Sequence, residues 1–205
     1  MDNFAANLPQ HKIPSLGLLA LAMTVSSYAF SQIKLLQMPV TSLGTVLLIG
    51  GGLQILAGLH SHADGNAAAR TTLVSLGLFW LSLIGFEIFP ELGFGRHPSP
   101  VAMVAYLSMW GFFAALLFLG SFQQNHALQL VYGALMICLL LLAMGTLKEN
   151  PLLLLFGSLA GIICGLAAGC TALAQLYRQW FRRTRLPLGN WPSHLEDKSD
   201  ESLAP

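Results

Sequence analysis

Long apolar stretches alternate with short polar segments along this chain. A helix that crosses the hydrocarbon core of a bilayer needs about 20 mostly apolar residues. Stretches of that kind run from Pro14 to Ile33, Ser42 to His60, Thr71 to Phe89, Val101 to Ser121, Ala127 to Thr146, and Pro151 to Tyr177. They exceed the length of a barrel strand and show no period-2 alternation, so the pattern predicts six membrane-spanning helices.

The predicted helices leave little sequence for any other domain. We expect an N-terminal segment over residues 1–13, a six-helix transmembrane domain over 14–177, and a basic then acidic cytoplasmic tail over 178–205. Of the 205 residues, 55% are hydrophobic and 9% are charged, whereas a soluble domain carries about 25% charged residues. The expected fold class is therefore an all-α membrane protein.

The charged residues indicate orientation rather than a charged partner. A formal net charge of +1 gives no electrostatic basis for binding nucleic acid. Lys34, Arg96 and Lys148 fall on one side of the predicted membrane, and the other seven of the ten basic residues fall on the side of both termini. Because basic segments stay in the cytoplasm, we expect both termini there, in a multi-pass protein of the inner (cytoplasmic) cell membrane.

Glycines in the sixth span predict how the helices pack. Gly157, Gly161, Gly165 and Gly169 follow one another at four-residue spacing, which leaves one helix face without side chains. This pattern predicts close helix contact, with a partner in the same chain or in a neighbouring one. The sequence contains no metal-ligand spacing and no pairing of nucleophile and base, so we expect no metal, no cofactor and no enzymatic activity.

Polar residues at membrane depth are candidates for contact with a solute. Gln54 and Gln129 are the strongest, because an unpaired amide in hydrocarbon costs several kcal/mol. Thr24 and Ser75 are further candidates, although a hydroxyl in a helix is often bonded to its own backbone. Ionisable residues are scarce. Glu87, near the end of span three, and the His60 and His62 pair are interpreted as interfacial.

Several motifs, taken in order, resemble those of the acetate uptake transporters, a family of small six-helix acetate/succinate-proton transporters. The motifs are Leu16-Gly17-Leu18, Met23-Thr24, Gly51-Gly52, Gln54, Ala57-Gly58, Gly65-Asn66, Ser75-Leu76-Gly77-Leu78-Phe79-Trp80, Tyr106, Trp110-Gly111, Gly120, Leu128-Gln129 and Leu186-Pro187-Leu188-Gly189. They extend over residues 14 to 189 without large gaps. The resemblance implies a homo-hexamer of six-helix protomers that moves acetate and related small carboxylates with a proton or as a channel.

The resemblance also implies a pore constriction formed by three side chains, typically Phe, Tyr and Leu. These positions correspond to Leu21, Leu76 and Leu135 in this chain, so two of the three differ from the usual pattern. A bare carboxylate loses its hydration in an aliphatic constriction, whereas the protonated acid loses only a few hydrogen bonds. We expect Thr24, Gln54, Ser75 and Gln129 to bind the polar end of a small acid that crosses in its protonated form.

Two other functions fit the same sequence. The absence of the usual aromatic residues allows a channel for small neutral solutes such as urea, short amides or ammonia. The glycine-rich sixth span and the basic tail also fit a membrane scaffold or sensor that transports nothing.

Overall fold

The computed structural model describes residues 13–33, 39–63, 65–123 and 126–181. Within these ranges the chain forms six long helices and no strand. They are α1 (Ser15–Gln32), α2 (Val40–Ala63), α3 (Ala67–Leu83), α4 (Pro100–Gly120), α5 (His126–Lys148) and α6 (Pro151–Phe181). Nearly all of the predicted N-terminal segment and most of the predicted tail lie outside the described residues.

Five of these helices are long and apolar enough to cross a membrane, namely α2 to α6. The structure thus confirms an all-helical fold with five apolar spans. Helix α1 is not among the five, since its second half contains Ser26, Ser27 and Gln32, which lower its mean hydropathy. Helix α1 is nevertheless deeply buried in the bundle, with Leu18, Leu21 and Val25 each 1% exposed.

Contacts between neighbouring helices define their relative directions. Gly44 of α2 lies against Ile88, and Gly58 of the same helix lies against Val74 of α3. Residue numbers therefore increase along α2 in the direction in which they decrease along α3. The same reversed order joins α4 with α5, α5 with α6, and α6 with α1. Consecutive helices therefore run antiparallel, as short connections favour.

The bundle is a closed ring in chain order. Extensive packing joins α1 with α2, α2 with α3, α4 with α5, α5 with α6, and α6 with α1. The ring closes between α3 and α4, where the Tyr106 hydroxyl donates to the Phe79 carbonyl at 2.9 Å. We call the end at which α1, α3 and α5 begin the near end, and the opposite end the far end.

The glycine face of α6 packs inside the chain. A Cβ placed on Gly157 would lie 3.1 Å from the Leu142 side chain of α5, and Gly161 faces both Ala29 of α1 and Cys138 of α5. Gly165 contacts Ser26 of α1. The partner that the sequence left open is therefore the same protomer, with α6 seated between α1 and α5.

Polar side chains determine where three of the helices begin. Each accepts a hydrogen bond from a backbone N–H of the first turn, which would otherwise have no partner. They are Asn66 before α3, Ser99 before α4 and Asn150 before α6. Pro100 and Pro151 follow two of these caps, at the position where the lack of an N–H costs nothing.

Candidate functional site

The three leucines of the predicted constriction lie in the interior of the bundle. Leu21, Leu76 and Leu135 are 1%, 2% and 0% exposed, and all belong to one apolar core. Helices α1 and α3 run parallel, and Gly17 approaches Leu73, which places Leu21 and Leu76 about one turn further along each helix. Their role as a constriction remains a prediction.

A polar pair lies at the depth of Leu76 and Leu135, about one helical turn beyond Leu21. Thr24, Leu76 and Leu135 each follow the first residue of their helix by nine positions, and Gln54 precedes the last residue of α2 by nine. A rise of 1.5 Å per residue places them about 13 Å from the near end, near the middle of a hydrocarbon core about 30 Å thick. Thr24 and Gln54 are both fully buried.

The hydrogen bonds of this pair fix the direction of the amide. The Thr24 hydroxyl donates to the carbonyls of Ala20 and Leu21, both at 3.0 Å, so its oxygen can only accept from a side chain nearby. Gln54 Nε2 donates to Thr24 Oγ1 at 3.2 Å. Exchanging the amide oxygen and nitrogen would place two acceptors face to face, so this orientation is the one that the geometry favours.

Gln54 Oε1 is a buried acceptor without a partner among the described residues. Leaving such a group unsatisfied costs about 1–3 kcal/mol. Trp80 Nε1 is a hydrogen-bond donor on α3, one turn beyond Leu76. It is also buried, and no described residue accepts a hydrogen bond from it. Native interiors rarely hold such groups unpaired, which makes these two atoms candidates for contact with a solute or water.

The other two predicted binding residues lie apart from this pair. Ser75 is half-buried and precedes Leu76, so it is at the right depth. Gln129 lies in the first turn of α5 at the near end, where its Oε1 is 3.0 Å from His126 Nδ1 and its Nε2 donates to the Ser121 carbonyl at 3.4 Å. The structure therefore brings Thr24 and Gln54 together and separates Gln129 from them by about 9 Å along the bundle.

Towards the far end, aromatic rings connect α1, α3 and α4. The Trp80 ring contacts Tyr28 of α1 edge-on with centroids 6.0 Å apart, and it lies 4.5 Å from the ring of Phe79. Phe79 in turn stacks on Tyr106 of α4 at 5.9 Å. Offset and edge-on contacts of this kind stabilise ring pairs beyond their burial.

Beyond these rings, Glu87 is bonded to α1. It lies in a π-helical turn, Ile84–Ile88, in which the Phe89 N–H reaches the Ile84 carbonyl. Glu87 Oε1 accepts from the Tyr28 hydroxyl at 3.0 Å and from Gln32 Nε2 at 3.4 Å. The sequence-based view of Glu87 as a simple interfacial residue therefore missed its two partners on α1.

An open cleft of about 320 Å³ lies beside Glu87 at the far end. Its lining combines acidic, imidazole and apolar side chains from the end of span three, the following loop, the start of α4 and the end of α5. They include Phe86, Glu87, Glu91, His97, Pro98 and Met103. The cleft, Glu87, Tyr28 and Trp80 thus form a continuous series from the surface towards Leu76.

The sequence contained two signals for this far-end site. Pro90 has no N–H and disrupts the last turn of α3, and a π-helical turn is a common outcome near functional positions. Tyr28, a polar aromatic residue directly after Ser26 and Ser27 of α1, is the second signal. His60 is exposed, and His62 and Asp64 have no described side chains. Among the described residues no group of His, Cys, Asp and Glu could hold a metal ion.

A closed ring of apolar helices around a buried polar pair defines an integral membrane protein with an internal polar site. Comparison with known families makes this assignment specific. The chain belongs to the GPR1/FUN34/yaaH family, which it matches over residues 3–190. This membership confirms the family resemblance seen in the sequence.

Individual relatives agree in both sequence and fold. The chain is 32% identical over 174 residues to the succinate-acetate/proton symporter SatP of Escherichia coli K12, covering 85% of this chain and 93% of the relative. It is 27% identical over 178 residues to acetate permease A of Emericella nidulans, and the match covers 78% of this chain and 59% of that relative. A solved structure of the bacterial acetate channel SatP superposes with a TM-score of 0.81 at 30% identity, covering 89% of this chain and 100% of that one.

Proposed function

We propose that this protein transports acetate and related small carboxylates such as succinate across a membrane, and that it catalyses no reaction. The named relatives are a succinate-acetate/proton symporter, an acetate permease and an acetate channel, and one of their solved structures shares this fold at 30% identity. The solute crosses as the protonated acid, through the constriction of Leu21, Leu76 and Leu135.

The observation that carries this proposal is the unsatisfied oxygen of Gln54. Oε1 accepts hydrogen bonds and cannot donate them. A carboxylate has no hydrogen to offer it, whereas a carboxylic acid has an O–H. The buried pair of Thr24 and Gln54 therefore favours the acid over its anion at the depth of Leu76 and Leu135, with Ser75 as a further hydroxyl at that depth.

Desolvation acts in the same direction. Taking an ionised carboxylate out of water into an apolar interior carries an effective penalty of several kcal/mol even after relaxation. The three leucines supply no charge that offsets this penalty. A neutral acid loses only its hydrogen bonds to water, and Gln54 restores one of them. Gln129, bonded at the near end, contacts the acid on the cytoplasmic side of the constriction.

The same proposal covers topology and assembly. Helix α1 serves as the sixth span, enclosed by α2 and α6, and the near end with both chain termini faces the cytoplasm in the inner cell membrane. The protomers assemble into a cyclic hexamer. Large apolar side chains on the outer face of α4, among them Met109, Phe112 and Leu116, are exposed in the protomer and available for lipid or a neighbouring subunit.

The central test is uptake of labelled acetate by proteoliposomes. At constant total acetate, the initial rate is expected to rise as the external pH falls towards the pKa of acetic acid, because the concentration of the neutral acid rises. Protein-free liposomes give the rate of diffusion through lipid, which is subtracted. A protein-dependent rate that stays flat over this pH range would contradict transport of the neutral acid.

A second candidate function, a channel for neutral solutes, is favoured by the same Gln54 oxygen, because it also accepts from the N–H groups of urea and ammonia. Stopped-flow swelling of the same proteoliposomes with acetate, succinate, urea and ammonia separates the two functions. Rapid entry of urea without protein-dependent entry of acetate would select the neutral-solute channel. If no solute enters faster than in protein-free liposomes, the result favours the third alternative, a scaffold or sensor.

Replacing Leu76 by Tyr tests whether this residue lines the pathway. The new ring and hydroxyl are expected to alter acetate uptake by about threefold or more and to change the ratio of acetate to succinate uptake, since a bulkier polar group then occupies the constriction. Leu78→Tyr is the matched control, because Leu78 is 52% exposed on the outer face of the same helix. An unchanged solute profile in Leu76→Tyr would remove Leu76 from the pathway.

A further inference from the structure

Glu87 is a half-buried carboxylate at the far end that is bonded to α1 and also lines the open cleft. The π-helical turn Ile84–Ile88 turns it towards α1, where two donors reach the same oxygen, Oε1. Tyr28, one of these donors, is 1% exposed. Two neutral donors on one carboxylate oxygen stabilise its ionised form without cancelling its charge, and they act against the cost of burial.

No cation is paired with Glu87 among the described residues, although Arg96 and His97 belong to the loop beside it. Among the described residues, the ion pair in this region joins His97 and Glu91 at 3.7 Å, and Glu87 forms none. The titratable groups nearest the Glu87 and Tyr28 pair on α4 and α5 are Tyr106 and Cys138, which carry no positive charge. A negative charge on Glu87 is therefore felt by any solute in the adjoining cleft.

The position of Glu87 places this charge at the entrance to the proposed pathway. Glu87 lines the cleft, its partner Tyr28 contacts Trp80, and Trp80 follows Leu76 by one helical turn. A solute that moves from the cleft to the leucines passes this series of residues. The charge of the solute at this point decides whether Glu87 attracts or repels it.

We propose that Glu87 is a specificity-determining residue that favours monocarboxylic over dicarboxylic acids, an inference that rests on the proposed function. A monocarboxylic acid becomes neutral with one proton and offers its O–H to the Glu87 carboxylate. A dicarboxylic acid that has taken up one proton still carries a negative charge. Repulsion between like charges is strong where water is partly excluded, so the dicarboxylic acid is disfavoured.

Competition in the unaltered protein tests this proposal directly. Succinate and its monomethyl ester are similar in size and differ by one carboxylate. Each is added to proteoliposomes that take up labelled acetate at a fixed, mildly acidic external pH. The ester is expected to halve acetate uptake at a concentration at least about fivefold lower than succinate, a modest value for one like-charge contact. Equal inhibition by the two compounds would overturn the proposal.

Removing the charge tests the residue itself. Glu87→Gln keeps the shape and is expected to raise the ratio of succinate to acetate uptake at least about fivefold, because the repulsion is lost. Glu149→Gln is the matched control, since Glu149 is exposed at the same end of the bundle and is not part of the cleft lining. In that control the ratio should change less than about twofold.

The outcomes distinguish this inference from the function on which it rests. An unchanged ratio in Glu87→Gln, with acetate uptake intact, overturns the role of Glu87 and leaves acetate transport standing. Absence of protein-dependent acetate uptake in the unaltered protein contradicts the proposed function itself. If Glu87→Gln does not fold, the competition between succinate and its monomethyl ester decides the question.

Discussion

Replacing Gln54 with Leu is expected to reduce protein-dependent acetate uptake at least about tenfold, which corresponds to roughly 1.4 kcal/mol. Leu has nearly the same volume, but it removes the buried acceptor to which the acid would donate. The free energy of unfolding is expected to stay the same or to rise, because an unsatisfied polar group leaves the interior. Lost activity together with retained stability is the signature of a functional site.

Uptake by proteoliposomes and thermal unfolding in detergent together measure this effect. Ser158→Ala is the matched control, because Ser158 is also fully buried but its hydroxyl bonds the Leu154 carbonyl of its own helix, away from the polar pair. This control is expected to transport acetate at the normal rate. If Gln54→Leu transports within about twofold of the unaltered protein, Gln54 does not bind the solute.

Replacing Gly77 with Ala is expected to lower the free energy of unfolding by about 3 kcal/mol, at the upper end of the usual cost of overpacking. An added Cβ would lie 2.6 Å from the Gly51 carbonyl oxygen of α2 and 3.1 Å from the Ile55 nitrogen. Backbone atoms cannot move aside as a side-chain end can, so α2 and α3 must separate. Because Gly77 adjoins Leu76, acetate uptake should change as well.

Gly52→Ala provides the comparison on the neighbouring helix. No atom lies within 4 Å of a Cβ added there, so this change removes only backbone freedom. Its expected effect is a gain of up to about 1 kcal/mol in the free energy of unfolding. Thermal unfolding of both variants in detergent measures the difference. If the two variants lose the same stability, the close contact between Gly51 and Gly77 is not the reason that position 77 requires glycine.

Hydropathy alone predicted the helices well, because each must carry a long apolar stretch whatever its neighbours are. Span three was predicted to end at Phe89, close to the observed end at Glu91. Pro90 signals a disruption near this end, but the sequence does not show that it takes the form of a π-helical turn with Glu87 bonded to α1. The hydropathy pattern along one helix carries no information about contacts with another helix.

The candidate site was predictable in part for the same reason. Burial of a glutamine in an apolar stretch requires a partner, which made Gln54 a candidate, and the structure supplies Thr24. Gln129 has the same side chain, but His126 lies three residues before it on one helix face and binds it locally. The glycines of α6 predicted close packing, and only the fold shows that α1 and α5 are their partners.

The two hydrogen bonds of the Thr24 hydroxyl have a consequence for proton movement. A proton wire requires each member to accept a proton on one side and release one on the other. The chain from Gln54 through Thr24 ends on the backbone carbonyls of Ala20 and Leu21, which have no proton to release. An amide is equally unsuited to relay one. Under the proposed mechanism, a proton that passes this level with the solute therefore travels on the solute rather than through Thr24 and Gln54.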